Sequence, residues 1–204
     1  MKTSFAMFLT GFTIALFSQC SEKKAEVSTI PDENISTQST IYNGFESQVK
    51  WGEHLVLIGG CNDCHTPKKL APGGAVHLDT ALWLAGHPAE MPSFEVDRKN
   101  LESKGLIVTQ DLTEWVGPWG VSFAANLTPD ETGIGNFTEE QFFRVLREGK
   151  YKGLVNSRPI LPPMPWEMYR HMTDNEIKAI FAYLKTIKPV KNIVPAPLPP
   201  IGVN

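Results

Sequence analysis

Residues 61–65 read Cys-Asn-Asp-Cys-His, and no other stretch constrains the chain so tightly. Two thiols two residues apart, followed at once by histidine, form C-x-x-C-H, the pattern for covalent attachment of haem c. The spacing suits that chemistry. Each thiol adds to one vinyl group of a porphyrin, and the short turn between them sets the separation of the sulfurs. The adjoining histidine is then delivered to the iron as the proximal ligand. A C-x-x-C pair also serves zinc ribbons and redox dithiols. A ribbon needs a second cysteine pair, whereas the one further cysteine here is Cys20. A thioredoxin-like dithiol needs a βαβ setting, which the flanks do not show. The residues therefore point to one haem c on Cys61 and Cys64 with His65 on the iron; a chance match or a dithiol is the remaining alternative.

With 204 residues the chain can hold one domain with a core of its own, plus extensions. A net charge of -3 implies neither nucleic acid nor an acidic membrane surface as partner. Sixteen prolines and sixteen glycines predict long, shaped loops around few regular elements.

The chain divides readily into segments. Residues 1–19 read as an export signal: Lys2 is followed by an apolar run from Phe5 to Phe17, short for a transmembrane helix. Leu16-Phe17-Ser18-Gln19-Cys20 resembles the lipobox of bacterial lipoproteins, in which cleavage precedes a cysteine that becomes lipid-modified. Phe17 and Gln19 depart from the small residues usual there, and a plain export signal cut nearby is the alternative. Residues 20–44, rich in Ser, Thr, Glu, Lys and Asn, read as a flexible tether. It would hold a folded domain, 45–190, off a membrane. Residues 191–204 form a proline-rich tail, expected to lie extended on the surface. The expected location is the periplasmic or cell-envelope face of a bacterial membrane, with a lipid anchor at Cys20.

Three helices are legible. Over 46–59, Val49, Gly52, Glu53 and Val56 share a face, with Leu55 and Ile58 beside it, and Gly59-Gly60 end the run. Gly52 is either a weak helix residue or a point of close helix approach. Thr138 with Gln141 forms a capping box ahead of Phe142, Phe143, Val145 and Leu146, and Gly149 is the stop. Thr173 with Glu176 opens the last helix, which carries Ile177, Ile180, Phe181 and Leu184 at helical spacing and ends by Pro189. Residues 68–120 are harder to read. Pro72-Gly73-Gly74 marks a turn, Leu106 to Thr109 a short strand, and Trp115, Trp119 and Phe123 either pin a loop or wall the haem. The tautomer of His65 is expected to be fixed by a backbone carbonyl near Pro67.

The sixth ligand decides what such an iron does. Met164 stands between Pro163 and Pro165, so its backbone is held where a flexible thioether would otherwise wander. Met91 has only the following proline. Met168 and Met172 read as packing residues, and His54, His77, His87 and His171 as surface residues. Met164 is the expected ligand and Met91 the rival.

The order of helix, C-x-x-C-H, long loop, helix, proline-flanked methionine and final helix resembles class I cytochromes c. Cys61 to Pro67, Asn126-Leu127-Thr128-Pro129-Asp130 and Met164-Pro165-Trp166 look more specifically like mono-haem domains of electron carriers and of subunits associated with alcohol and aldehyde dehydrogenases. The resemblance spans residues 46–190 and implies an all-α fold. That fold would carry a long loop insertion between the haem motif and the middle helix, and its first and last helices would cross near Gly52 and Tyr183. Residues 75–120 exceed what the minimal fold needs. The implied role is single-electron transfer with His65 and Met164 on the iron, not enzymatic catalysis. The implied partners are redox proteins: a dehydrogenase, another cytochrome or an oxidase. A gas sensor or a peroxidase-like enzyme with a displaceable distal ligand is the alternative. Haem propionates need charge-assisted donors, for which Arg158 and Asn126 are candidates; a solvated arginine and a turn-forming asparagine is the equal alternative.

Overall fold

The structure, a computed structural model, describes residues 41–202. The export segment, Cys20 and the tether as far as residue 40 lie outside the described residues. Among the described residues six α-helices form in order: α1 Gln48–Ile58, α2 Cys61–His65, α3 Arg98–Ser103, α4 Glu139–Glu148, α5 Trp166–Tyr169 and α6 Asp174–Leu184. Each long helix starts where its sequence supplies an acceptor for an orphan N–H. Ser47 Oγ accepts from Lys50 N at 3.2 Å. Both expected capping boxes, Thr138 with Gln141 and Thr173 with Glu176, close in both directions. Gly149 ends α4 in the left-handed region at φ 62°.

The core lies where α1 crosses α6 and α4 closes over one side. Leu55, Val56, Phe142, Leu146, Ile177 and Ile180 are buried there, each stabilising the fold by about 1.5–3 kcal/mol relative to exposure. The crossing occurs at Gly52, against Ala179 and Tyr183, as the close-approach reading expects. Trp51 completes the buried stripe of α1, while Ile58, the last residue of that helix, is 67% exposed. Tyr42 and Phe45 pack against this core, so the folded part begins inside the stretch read as tether.

The chain is not purely all-α. Between the haem motif and α4 it forms two small antiparallel sheets. In the first, β1 Lys68–Leu70 pairs with β2 Val76–Leu78, joined through the expected Pro72-Gly73-Gly74 turn. In the second, the order is β3 Val108–Thr109, β4 Glu114–Gly117 and β5 Gly120–Phe123. Val108, Trp115, Val116, Val121 and Phe123 are residue types that suit a pleated, half-buried surface, and β4 turns into β5 through Pro118 and Trp119. Gly120 is required at that corner: its φ is +94°, and a Cβ would meet the Leu198 carbonyl oxygen at 2.1 Å.

The tail does more than lie on the surface. Leu198 and Val121 exchange backbone hydrogen bonds at 2.9 and 3.0 Å, extending the sheet beyond β5. The Asn192 carboxamide donates to the carbonyls of Ala85 at 2.7 Å and His87 at 2.9 Å and accepts from Ala89 N at 2.9 Å. His87, expected at the surface, is 1% exposed.

Candidate functional site

The site begins where α1 stops. Gly60 takes φ 67°, which turns the chain into the single helical turn of α2. That turn sets Cys61, Cys64 and His65 on the wall of a cavity of about 400 Å³. The His65 Nδ1–H donates to the Ala125 carbonyl at 2.7 Å, which leaves Nε2 as the free lone pair. Burial lowers the His65 pKa, so the ring stays neutral, the state a metal ligand needs. Cys61 and Cys64 are free cysteines. Burial pushes the Cys61 thiol up to about 11 and raises that of Cys64, holding both as thiols. Among the described residues no group of three or more His, Cys, Asp or Glu side chains could hold a metal ion, so the cysteines have no zinc-site companions.

The carbonyl that receives His65 comes from Ala125, sixty residues along the chain, and not from the neighbourhood of Pro67. The Pro67 carbonyl instead accepts from Asp79 N at 2.7 Å. Residues 84–87 clamp the two segments together. Gly86 N donates to His65 O at 2.8 Å, His87 N to Ala124 O at 2.9 Å, and Leu127 N to Leu84 O at 2.9 Å.

Met164 lines the same cavity, as do Asn126 and Arg158; Met91 does not. Most of the remaining wall is apolar, with Phe123, Ile134, Phe137 and Leu146 among its residues. The Asn126 carboxamide is turned into its own loop: it accepts from Thr128 N at 2.9 Å and donates to Val190 O at 2.9 Å and Thr132 Oγ1 at 3.2 Å. Both donors of Asn126 are thus engaged within the fold. The Arg158 guanidinium lies exposed at the cavity edge, 4.1 Å above the Tyr151 ring, and donates to the Pro159 carbonyl at 2.9 Å. Of Trp115, Trp119 and Phe123, the first and last wall the cavity and Trp119 does not.

Two cavity residues carry no signal that sequence spacing exposes. Met172 packs against the core, as expected, and also lines the cavity. Tyr169 also lines it, and its hydroxyl donates to the Gly59 carbonyl at 2.6 Å, tying α5 to the end of α1. Burial pushes that hydroxyl up to about 12, so it remains a donor. The donor set fits a haem c: two thiols one turn apart, a neutral imidazole with Nε2 free, a thioether, and an apolar cavity of ligand size.

No family model matches the chain. It is 40% identical over 75 residues to the fructose dehydrogenase cytochrome subunit of Gluconobacter japonicus, covering 36% of this chain and 15% of that protein. Over 147 residues it is 29% identical to the cytochrome c subunit of the quinone alcohol dehydrogenase of Gluconobacter oxydans, covering 71% of this chain and 23% of the relative. The gluconate 2-dehydrogenase cytochrome c subunit of Pantoea cypripedii is 27% identical over 140 residues, 68% of this chain and 23% of its own. The chain thus spans less than a quarter of the length of each of these three relatives. Their common feature fits the site just described: in sequence, this chain is related to the cytochrome c subunits of dehydrogenases.

Proposed function

We propose that the chain carries single electrons through one haem c, bound by thioether links to Cys61 and Cys64, with His65 and Met164 as axial ligands. Haem supplies the one-electron ferric–ferrous couple. The protein's part is to hold ligands and exclude water. The observation that carries the reading is the shared cavity: the C-x-x-C-H turn and the proline-flanked methionine both line it. The Ala125 carbonyl keeps the His65 imidazole in one tautomer and one orientation. Apolar walls disfavour the more highly charged ferric state, and a thioether favours ferrous iron more than imidazole or water does. The kinship to dehydrogenase cytochrome c subunits supports a dehydrogenase as the electron donor. Export and anchoring at Cys20 complete the proposal, and among the described residues no helix is long and apolar enough to cross a membrane.

The test is haem staining in a denaturing gel combined with a far-red absorption spectrum. Wild type should stain and show the sulfur-to-iron charge-transfer band. Cys61→Ala with Cys64→Ala should abolish the stain, and staining that survives would overturn the attachment. A stained protein without the band that binds carbon monoxide freely would point to the sensor or peroxidase-like alternative. Cys20→Ser should release the protein from membranes into the soluble fraction.

A further inference from the structure

We propose that the β3–β4–β5 sheet is the buttress of the Met164 loop, with Ser122 as the positioning residue that joins the two. This rests on the reading of Met164 as the axial ligand. Pro162, Pro163 and Pro165 have no backbone N–H, so residues 162–165 offer one donor, that of Met164, with which to fasten themselves. Their carbonyls must be held by donors from elsewhere. On one side the loop is secured by Ile160 N donating to Gly149 O at 2.7 Å, on the other by Trp166 N donating to Met164 O at 2.9 Å. Between those points the Ser122 hydroxyl donates to the Pro162 carbonyl at 2.6 Å.

The hydroxyl has one proton and two lone pairs. Trp119 Nε1–H fills one lone pair at 3.0 Å, so the Ser122 proton is directed at Pro162. Trp119 is itself placed by Gly117, where a Cβ would come within 2.6 Å of the indole. Ser122 stands on β5, the sheet's edge strand, between β4 and the tail. Trp115 of β4 pairs with it on one side, and on the other the neighbouring Val121 pairs with Leu198 of the tail. A donor on a strand held from both edges cannot follow the loop outward. The loop therefore loses the Ser122 bond whenever it swings away from the cavity, and the Met164 thioether is kept in place by residues some forty positions earlier. The insertion thus acts on the distal ligand.

The full-length ferric holoprotein, titrated with imidazole while the sulfur-to-iron band is followed, tests this. Ser122→Ala should keep the band but raise the apparent imidazole affinity about fivefold, the equivalent of one net hydrogen bond. Ser122→Thr, which retains a hydroxyl on a strand position, should lie closer to wild type than Ser122→Ala. In a Met164→Ala background, which has no thioether to displace, Ser122→Ala should leave imidazole affinity unchanged. An unchanged affinity in Ser122→Ala, with the band lost in Met164→Ala, overturns the buttress and leaves the ligand reading standing. An equal rise in both backgrounds also overturns it, because it signals general loosening. A band that survives Met164→Ala overturns the ligand reading itself, and the buttress with it.

Discussion

Gly52 and Ala179 meet backbone to backbone: a Cβ on Gly52 would come within 1.9 Å of the Ala179 carbonyl oxygen and 2.9 Å of the Tyr183 Cβ. The two helices that close the core cross at this point. Alanine normally favours a helix over glycine by about 1 kcal/mol. Here the methyl would have to push α6 away, and overpacking costs about 1–3 kcal/mol. Gly52→Ala should therefore be less stable in urea unfolding. A variant as stable as wild type would mean that the helices do not touch there.

The fold separates Met164 from Met91 as their flanking prolines do. Met164 lines the same cavity as His65, whereas Met91 sits in a turn outside it. Met164→Ala should retain covalent haem, lose the sulfur-to-iron band, lower the midpoint potential and let the reduced protein bind carbon monoxide. Met91→Ala should behave as wild type in all four measurements. The reverse pattern would assign the ligand to the wrong loop.

Gly86 governs the hydrogen bond to His65. Its φ is +76°, and a Cβ would meet the Ala125 carbonyl oxygen at 2.6 Å, the acceptor of the His65 Nδ1–H. Gly86→Ala should cost about 1–2 kcal/mol in stability from the left-handed backbone alone. It should also displace that carbonyl. A weaker bond makes the imidazole a poorer donor to ferric iron, so redox titration should find a higher potential. An unchanged or lower potential would show that the carbonyl does not move.

His87 makes stability depend on pH. Its Nδ1 meets Thr113 Oγ1 at 2.9 Å, while its buried Nε2 has no hydrogen-bond partner among the described residues. Burial lowers its pKa, outweighing the attraction of Glu114 and Asp111. Unfolded histidine titrates near about 6.5. Below that the unfolded chain takes up a proton that the folded chain refuses, so stability falls with pH until the folded pKa is reached. Denaturant unfolding should show this loss between pH 7 and 5, and His87→Gln should flatten it. Parallel pH profiles would mean that His87 ionises freely in the fold.

Local chemistry settles a good part of this protein. Cys61, Cys64 and His65 stand out in the sequence because the C-x-x-C-H pattern is made of adjacent residues. Both capping boxes, the stop at Gly149 and the small residue at the α1–α6 crossing are legible because their partners lie within one helical turn or follow from family likeness. Met164 stands out through its flanking prolines. The rest depends on partners remote in sequence. The carbonyl that orients His65 belongs to Ala125, and backbone acceptors leave no trace in residue identity. The partners of the Asn126 carboxamide, Thr132 and Val190, become visible only when the chain folds. His87 looks like a surface residue until Phe123 stacks on it and Asn192 covers its backbone. The seam of β5 with Leu198 joins residues about eighty positions apart. Periodicity reports which side of an element is apolar; it cannot report what arrives to cover that side, and in this protein what arrives is the insertion and the tail.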